Sequence, residues 1–90
     1  MTRYRKKPVE VEAVQICSEN GDRTAWPEWL VDAFSNWQVT YHGVDKKLFW
    51  VASLEGGVCG EIGDWIVRGV EGELYPVKDS IFRKTYEEVT

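Results

Sequence analysis

Few side chains in this chain have the types or spacing that catalysis requires. There is one histidine, His42, and there are two cysteines, Cys17 and Cys59. A thiol–imidazole pair would need the fold to bring one cysteine to His42, and no local motif orients either partner. No Cys-X-X-Cys spacing occurs, so the ligand set of a structural zinc site is missing. Glu10 and Glu12 share one face of an alternating stretch, as paired carboxylates would. Nothing beside them supplies a nucleophile or a metal ligand, and a solvated face accounts for them. Gly56, Gly57, Gly60 and Gly63 have the look of a phosphate loop, yet no Gly-Lys-Ser/Thr follows and no helix opens behind them. Sharp β turns explain these glycines. The residues therefore predict no catalytic group, no metal and no cofactor.

Binding chemistry is better represented. Five tryptophans in 90 residues supply large, stackable surfaces. Trp65 and Tyr75 lie in one predicted hairpin with Arg68 between them and Lys78 just beyond. Aromatic rings with nearby cations suit a nucleotide-like ligand, the rings stacking and Arg68, Lys78 or the N-terminal cations holding phosphate. The same aromatics suit the hot spot of a protein interface, where Trp29 is a further candidate. The plainer account is that Trp65 and Tyr75 pack across strands.

These residues depend on a hairpin over 63–77. Gly63-Asp64 is a turn signal, Trp65-Ile66-Val67 is strand-forming, and Gly69-Val70-Glu71-Gly72 turns the chain into Glu73-Leu74-Tyr75-Pro76-Val77. Trp65 and Val67 share one face; Ile66 and Arg68 share the other. Pro76 cannot donate to a ladder, which predicts an edge strand. Upstream, Pro8 to Ile16 reads as a first strand whose apolar phase slips at Ala13-Val14, through a bulge or burial on both faces. Ser18 to Thr24 is a polar loop. A helix is predicted over residues 27–34, with Pro27 at its first position and Trp26, Leu30, Ala33 and Phe34 near one stripe. Trp29 sits at the edge of that stripe, covering the sheet or a partner. Trp37 to His42 and Leu48 to Leu54 read as a strand pair, the second of them central, and Val58 to Ile62 as a short strand. Asp79 or Ser80 can cap a short helical turn near 79–86, from which Ile81, Phe82, Thr85 and Tyr86 would meet the sheet. The expectation is an α+β domain: a bent antiparallel sheet of five or six strands, one short helix packed on it, and a C-terminal helical turn. Trp50, Val51, Ile66, Leu30, Phe34, Val11 and Val39 should form the core.

Ninety residues allow one domain, 1–90, with residues 1–7 as a basic flexible leader; a core this small is also compatible with a homodimer. The net charge is −4. Cations cluster early at Arg3, Arg5, Lys6 and Lys7, and acids late at Glu71, Glu73, Glu87 and Glu88. That distribution makes a single basic surface, and so a general nucleic-acid binder, a poor expectation. No apolar run is long enough to span a membrane.

The order of motifs resembles a family of small tailed-phage and prophage proteins of unknown function. The likeness rests on Arg5-Lys6-Lys7-Pro8-Val9, Glu12-Ala13-Val14-Gln15, Pro27-Glu28-Trp29-Leu30, Gly63-Asp64-Trp65-Ile66-Val67-Arg68-Gly69, Gly72-Glu73-Leu74-Tyr75-Pro76-Val77-Lys78, Ile81-Phe82 and Thr85-Tyr86-Glu87. It is similar to proteins with a Pro-Gly-Asp-Tyr-Gly turn, with Ile62 in place of the proline and Trp65 in place of the tyrosine. The resemblance implies a phage or prophage gene expressed in a bacterial cytoplasm. It carries over no catalytic residue. Small phage accessory proteins commonly occupy a host protein, so the expected function is non-enzymatic binding to a host partner, such as a defence component. The alternative is a small-ligand binder.

Overall fold

Six antiparallel strands and two short helices form an α+β fold in the computed structural model, which describes residues 2–4, 10–17, 26–44, 47–53 and 56–89. In chain order they are β1 (Glu12–Gln15), α1 (Glu28–Ser35), β2 (Val39–His42), β3 (Leu48–Val51), β4 (Val58–Glu61), β5 (Trp65–Arg68), β6 (Leu74–Val77) and α2 (Asp79–Thr85). The strands make two three-stranded sheets, β1-β5-β6 and β2-β3-β4. They touch where β6 meets β3 and β4. The expected bent antiparallel sheet takes the form of these two contacting sheets. The basic leader lies largely outside the described residues, as do Pro8, Val9 and the 18–24 loop.

Alternation decides what goes inside. Phe49 and Val51 share the inner face of β3, Val39 opposes Val51 from β2, and Ile66 comes from β5. Leu30 and Ala33, three positions apart on α1, close over them, and Ile16 completes the buried cluster. Phe34 packs against this cluster half-buried.

Two residues expected in the core lie elsewhere. Trp50 is on the opposite face of β3 from Phe49, and its ring lies so close to Gly57 that a Cβ there would sit 2.2 Å from Cζ2. Val11 precedes β1 and lines a surface groove. The phase slip in β1 reflects burial on both faces. Val14 packs toward the core, while Ala13 and Gln15 lie half-buried beneath α2's side of the sheet.

Local expectations also shift. Pro27 is the N-cap of α1 rather than its first residue, and its carbonyl accepts the N–H groups of Leu30 and Val31 at 3.0 and 3.3 Å. Trp37 starts no strand. It follows the helix in the left-handed region at φ 66°, where a C-terminal glycine usually sits, and it is 77% exposed. Neither Asp79 nor Ser80 caps α2. Lys78 is its N-cap, and the carboxylate of Asp64 accepts the Asp79 N–H at 3.3 Å. Ile81 and Thr85 are exposed, leaving Phe82 and Tyr86 to face the sheet.

The β5–β6 hairpin forms as the turn signals require. Trp65 pairs with Val77, Ile66 with Pro76, Val67 with Tyr75 and Arg68 with Leu74. The Gly69 N–H donates to the Glu73 carbonyl at 2.8 Å. That bond sets the phase of the ladder. Val67–Tyr75 and Trp65–Val77 are the hydrogen-bonded pairs, and Pro76 falls where no N–H toward β5 is needed. Pro76 is therefore accommodated on an edge strand.

Candidate functional site

Sheet alternation separates the site residues suggested by the sequence. Trp65, Val67, Tyr75 and Val77 belong to the face covered by α2 and the chain after it. Ile66, Arg68 and Leu74 belong to the face turned toward the core.

Trp65 is the centre of the first face. Its ring stacks on Phe82 with centroids 4.0 Å apart and planes within 9°. Phe82 also stacks on Tyr86 at 4.9 Å, so Phe82 lies between the two other rings. The spacing of Phe82 and Tyr86, one helical turn, puts both on the same side of α2. Aromatic pairs of this kind contribute about 0.5–1.5 kcal/mol beyond their buried area.

A carboxylate fixes the stack in place. Oδ1 of Asp79 accepts the Trp65 indole N–H at 2.9 Å, the Gln15 side-chain amide at 3.3 Å and Arg83 Nε at 2.9 Å. Gln15 also donates to the Gly63 carbonyl at 2.9 Å. The Trp65 N–H and then the Arg83 guanidinium hold Asp79 below the ordinary aspartate pKa. Asp64 joins this hub to β4: Oδ2 accepts the Glu61 N–H at 3.0 Å, and Oδ1 takes the first amide of α2. Gly63 at φ 104° makes the turn that lets its own N–H reach the Ile16 carbonyl at 2.6 Å. Tyr75 interacts through its hydroxyl with Tyr86. Burial, that hydrogen bond and the nearby charge of Glu73 push its pKa up to about 12.

The ring stack forms one wall of a groove of about 500 Å³. Val11 and Ala13 supply its apolar floor, and Glu10, Glu87 and Glu88 supply its charge. Among the described residues no lysine or arginine lines it. Its size falls in the range of sites that hold a small molecule or a few side chains, about 300–1,000 Å³. Beside it, Glu10, Val11, Glu12, Arg68 and Gly69 border a shallower depression of about 280 Å³.

Of the five residues suggested by the sequence, Trp65 lines the groove, and Tyr75 supports it through Tyr86. Arg68 is exposed, opposite Glu12 in the register, and lines the depression. Lys78 is exposed at the start of α2. Trp29 is half-buried against the core, and its indole N–H donates to the Glu12 carboxylate. The structure thus brings Trp65 and Tyr75 together and sets the other three apart from them. Sequence reasoning missed Gln15, Glu87 and Glu88, assigned Glu10 to a solvated face and gave Asp79 only a capping role. One signal was available: Asp79 and Arg83 are spaced i,i+4 in a helical stretch.

Cys17 and Cys59 are free thiols, both exposed. Among the described residues no three His, Cys, Asp or Glu side chains gather as a metal set. None of their helices is long and apolar enough to cross a membrane. No protein-family model matches the chain, and no curated protein or solved structure is significantly similar to it.

Proposed function

We propose that the protein is a non-enzymatic binding module whose groove takes a positively charged segment of a partner protein. Its setting, on the resemblance in sequence, is that of a phage or prophage accessory protein in the cytoplasm of a bacterial host, where the partner is a host protein. The observation that carries the binding reading is the composition of the groove among the described residues: three aromatic rings on one wall and three carboxylates around it. Aromatic surface attracts a cation and covers its aliphatic stem, and carboxylates complete the charge match. The same carboxylates oppose a nucleotide phosphate, and neither Arg68 nor Lys78 lines the groove to offset them.

Native mass spectrometry after gentle purification tests this, comparing the wild type with a triple Glu10→Lys, Glu87→Lys, Glu88→Lys variant. The expected result is a protein partner on the wild type whose occupancy falls at least tenfold on the variant. A partner retained equally by both, or a small-molecule adduct strengthened by the added lysines, would overturn the reading.

A further inference from the structure

We infer that the occupant binds as an added strand on the free edge of β1, with alternate arginine or lysine side chains entering the groove; this rests on the binding reading above. Among the described residues the β1 strand is the outer member of its sheet and pairs with β5 alone. Hydrogen bonds at its end set the direction of every group along it. The Ile16 N–H donates to the Asp64 carbonyl at 3.0 Å, and the Ile16 carbonyl accepts the Gly63 N–H. Backbone groups alternate in direction along a strand, so Val14 and Glu12 also turn toward β5. The ladder between β5 and β6 gives the same phase independently, since Ile66 is left facing β1. Ala13 and Gln15 therefore direct their N–H and C=O groups outward. Among the described residues no backbone group pairs with them there.

This outward edge adjoins the groove, because the Ala13 side chain is part of the groove floor. An extended chain laid along β1 turns every second side chain to the same sheet face, at intervals of about 6.6–6.8 Å. Those side chains would enter beside Trp65, Phe82 and Tyr86 and within reach of the carboxylates. Arginine suits such a site because its planar guanidinium stacks on rings and forks onto a carboxylate. Main-chain bonds give such strand addition its affinity, and alternate side chains give its specificity. The occupant is a partner and not a second copy paired β1 to β1. That arrangement would bring the groove no cation, since residues 10–17 hold two glutamates and no lysine or arginine.

The probe is acetyl-Val-Arg-Val-Arg-Val-Arg-amide. Its controls are the same peptide with glutamate for arginine and two versions N-methylated at alternate residues, each blocking one edge. Affinity and residue-resolved amide exchange are measured on the whole protein. The arginine peptide is expected to bind at least tenfold better than the glutamate peptide. It should slow exchange at Ala13 and Gln15 at least tenfold while leaving Val14 unchanged, and one N-methylated version should lose at least tenfold in affinity. Selective binding with no slowing at Ala13 and Gln15 would overturn strand addition and leave the groove reading intact. Absent or charge-independent binding would overturn both.

Discussion

Helix α1 drives Leu30 and Ala33 into the core between the sheets, whereas α2 fully buries none of its side chains. The first is held by aliphatic burial, at about 1.5–3 kcal/mol for each large side chain removed from water. The second is held by stacked rings and one partly exposed carboxylate. An element held by the core leaves only when the whole domain unfolds. An element held at a few points can open locally at smaller free energy. The groove is built on the second kind, so its wall can adjust to an occupant while the two sheets keep their register.

The largest effect that would test this contrast is Leu30→Ala. Loss of a fully buried leucine is expected to destabilise the whole protein by about 2–5 kcal/mol in chemical denaturation, with α1 and α2 lost together. A loss below about 1 kcal/mol would show that α1 does not anchor the core. Phe82→Ala comes next. It removes both ring contacts and should cost about 1–3 kcal/mol, seen as faster amide exchange confined to α2. Uniformly faster exchange would erase the distinction between the helices. The smallest effect is Asp79→Asn, which sharpens the contrast through pH. The folded-state pKa of Asp79 is depressed, so its contribution is complete above the unfolded aspartate value and is lost as pH falls through the folded one. Tryptophan fluorescence in the wild type should report loosening of the ring stack in that acidic window, and the variant should lack that transition. An unchanged transition in the variant would assign it to another group.

The hairpin over 63–77 was readable because its signals are local: two glycine turns, β-branched residues between them, and a proline whose missing N–H fits an edge. Helix α1 was readable from its apolar stripe. The face chosen by each β3 side chain was not, since Leu48-Phe49-Trp50-Val51 is apolar throughout and periodicity cannot rank Phe49 above Trp50. Both rings depend on glycines of the next segment, Gly60 leaving room for Phe49 and Gly57 for the Trp50 indole. Trp37 misled for a related reason: it fits a strand pattern, but the end of α1 forces it into a left-handed turn. The groove was legible in only one residue, Trp65. Its carboxylates come from Glu10 and from Glu87-Glu88, at opposite ends of the sequence, and no spacing rule connects them. The sequence suggests Asp79 as a cap, which it is not; its actual partners on β1 and β5 are tertiary contacts.

The two sheets also differ in the order in which a folding chain can assemble them. Strands β2, β3 and β4 follow one another as a meander, and β5 meets β6 through a short turn. Strand β1 must find β5 across more than half the chain, pairing Glu12 with Arg68. Closing so long a loop spends entropy before any bond rewards it, which places β1 late in assembly. Until it arrives, Trp65 and Val67 have no neighbour on one side, and a newly made chain presents β5 as a temporary edge. The strand proposed to receive a partner is thus the one whose own arrival completes the sheet.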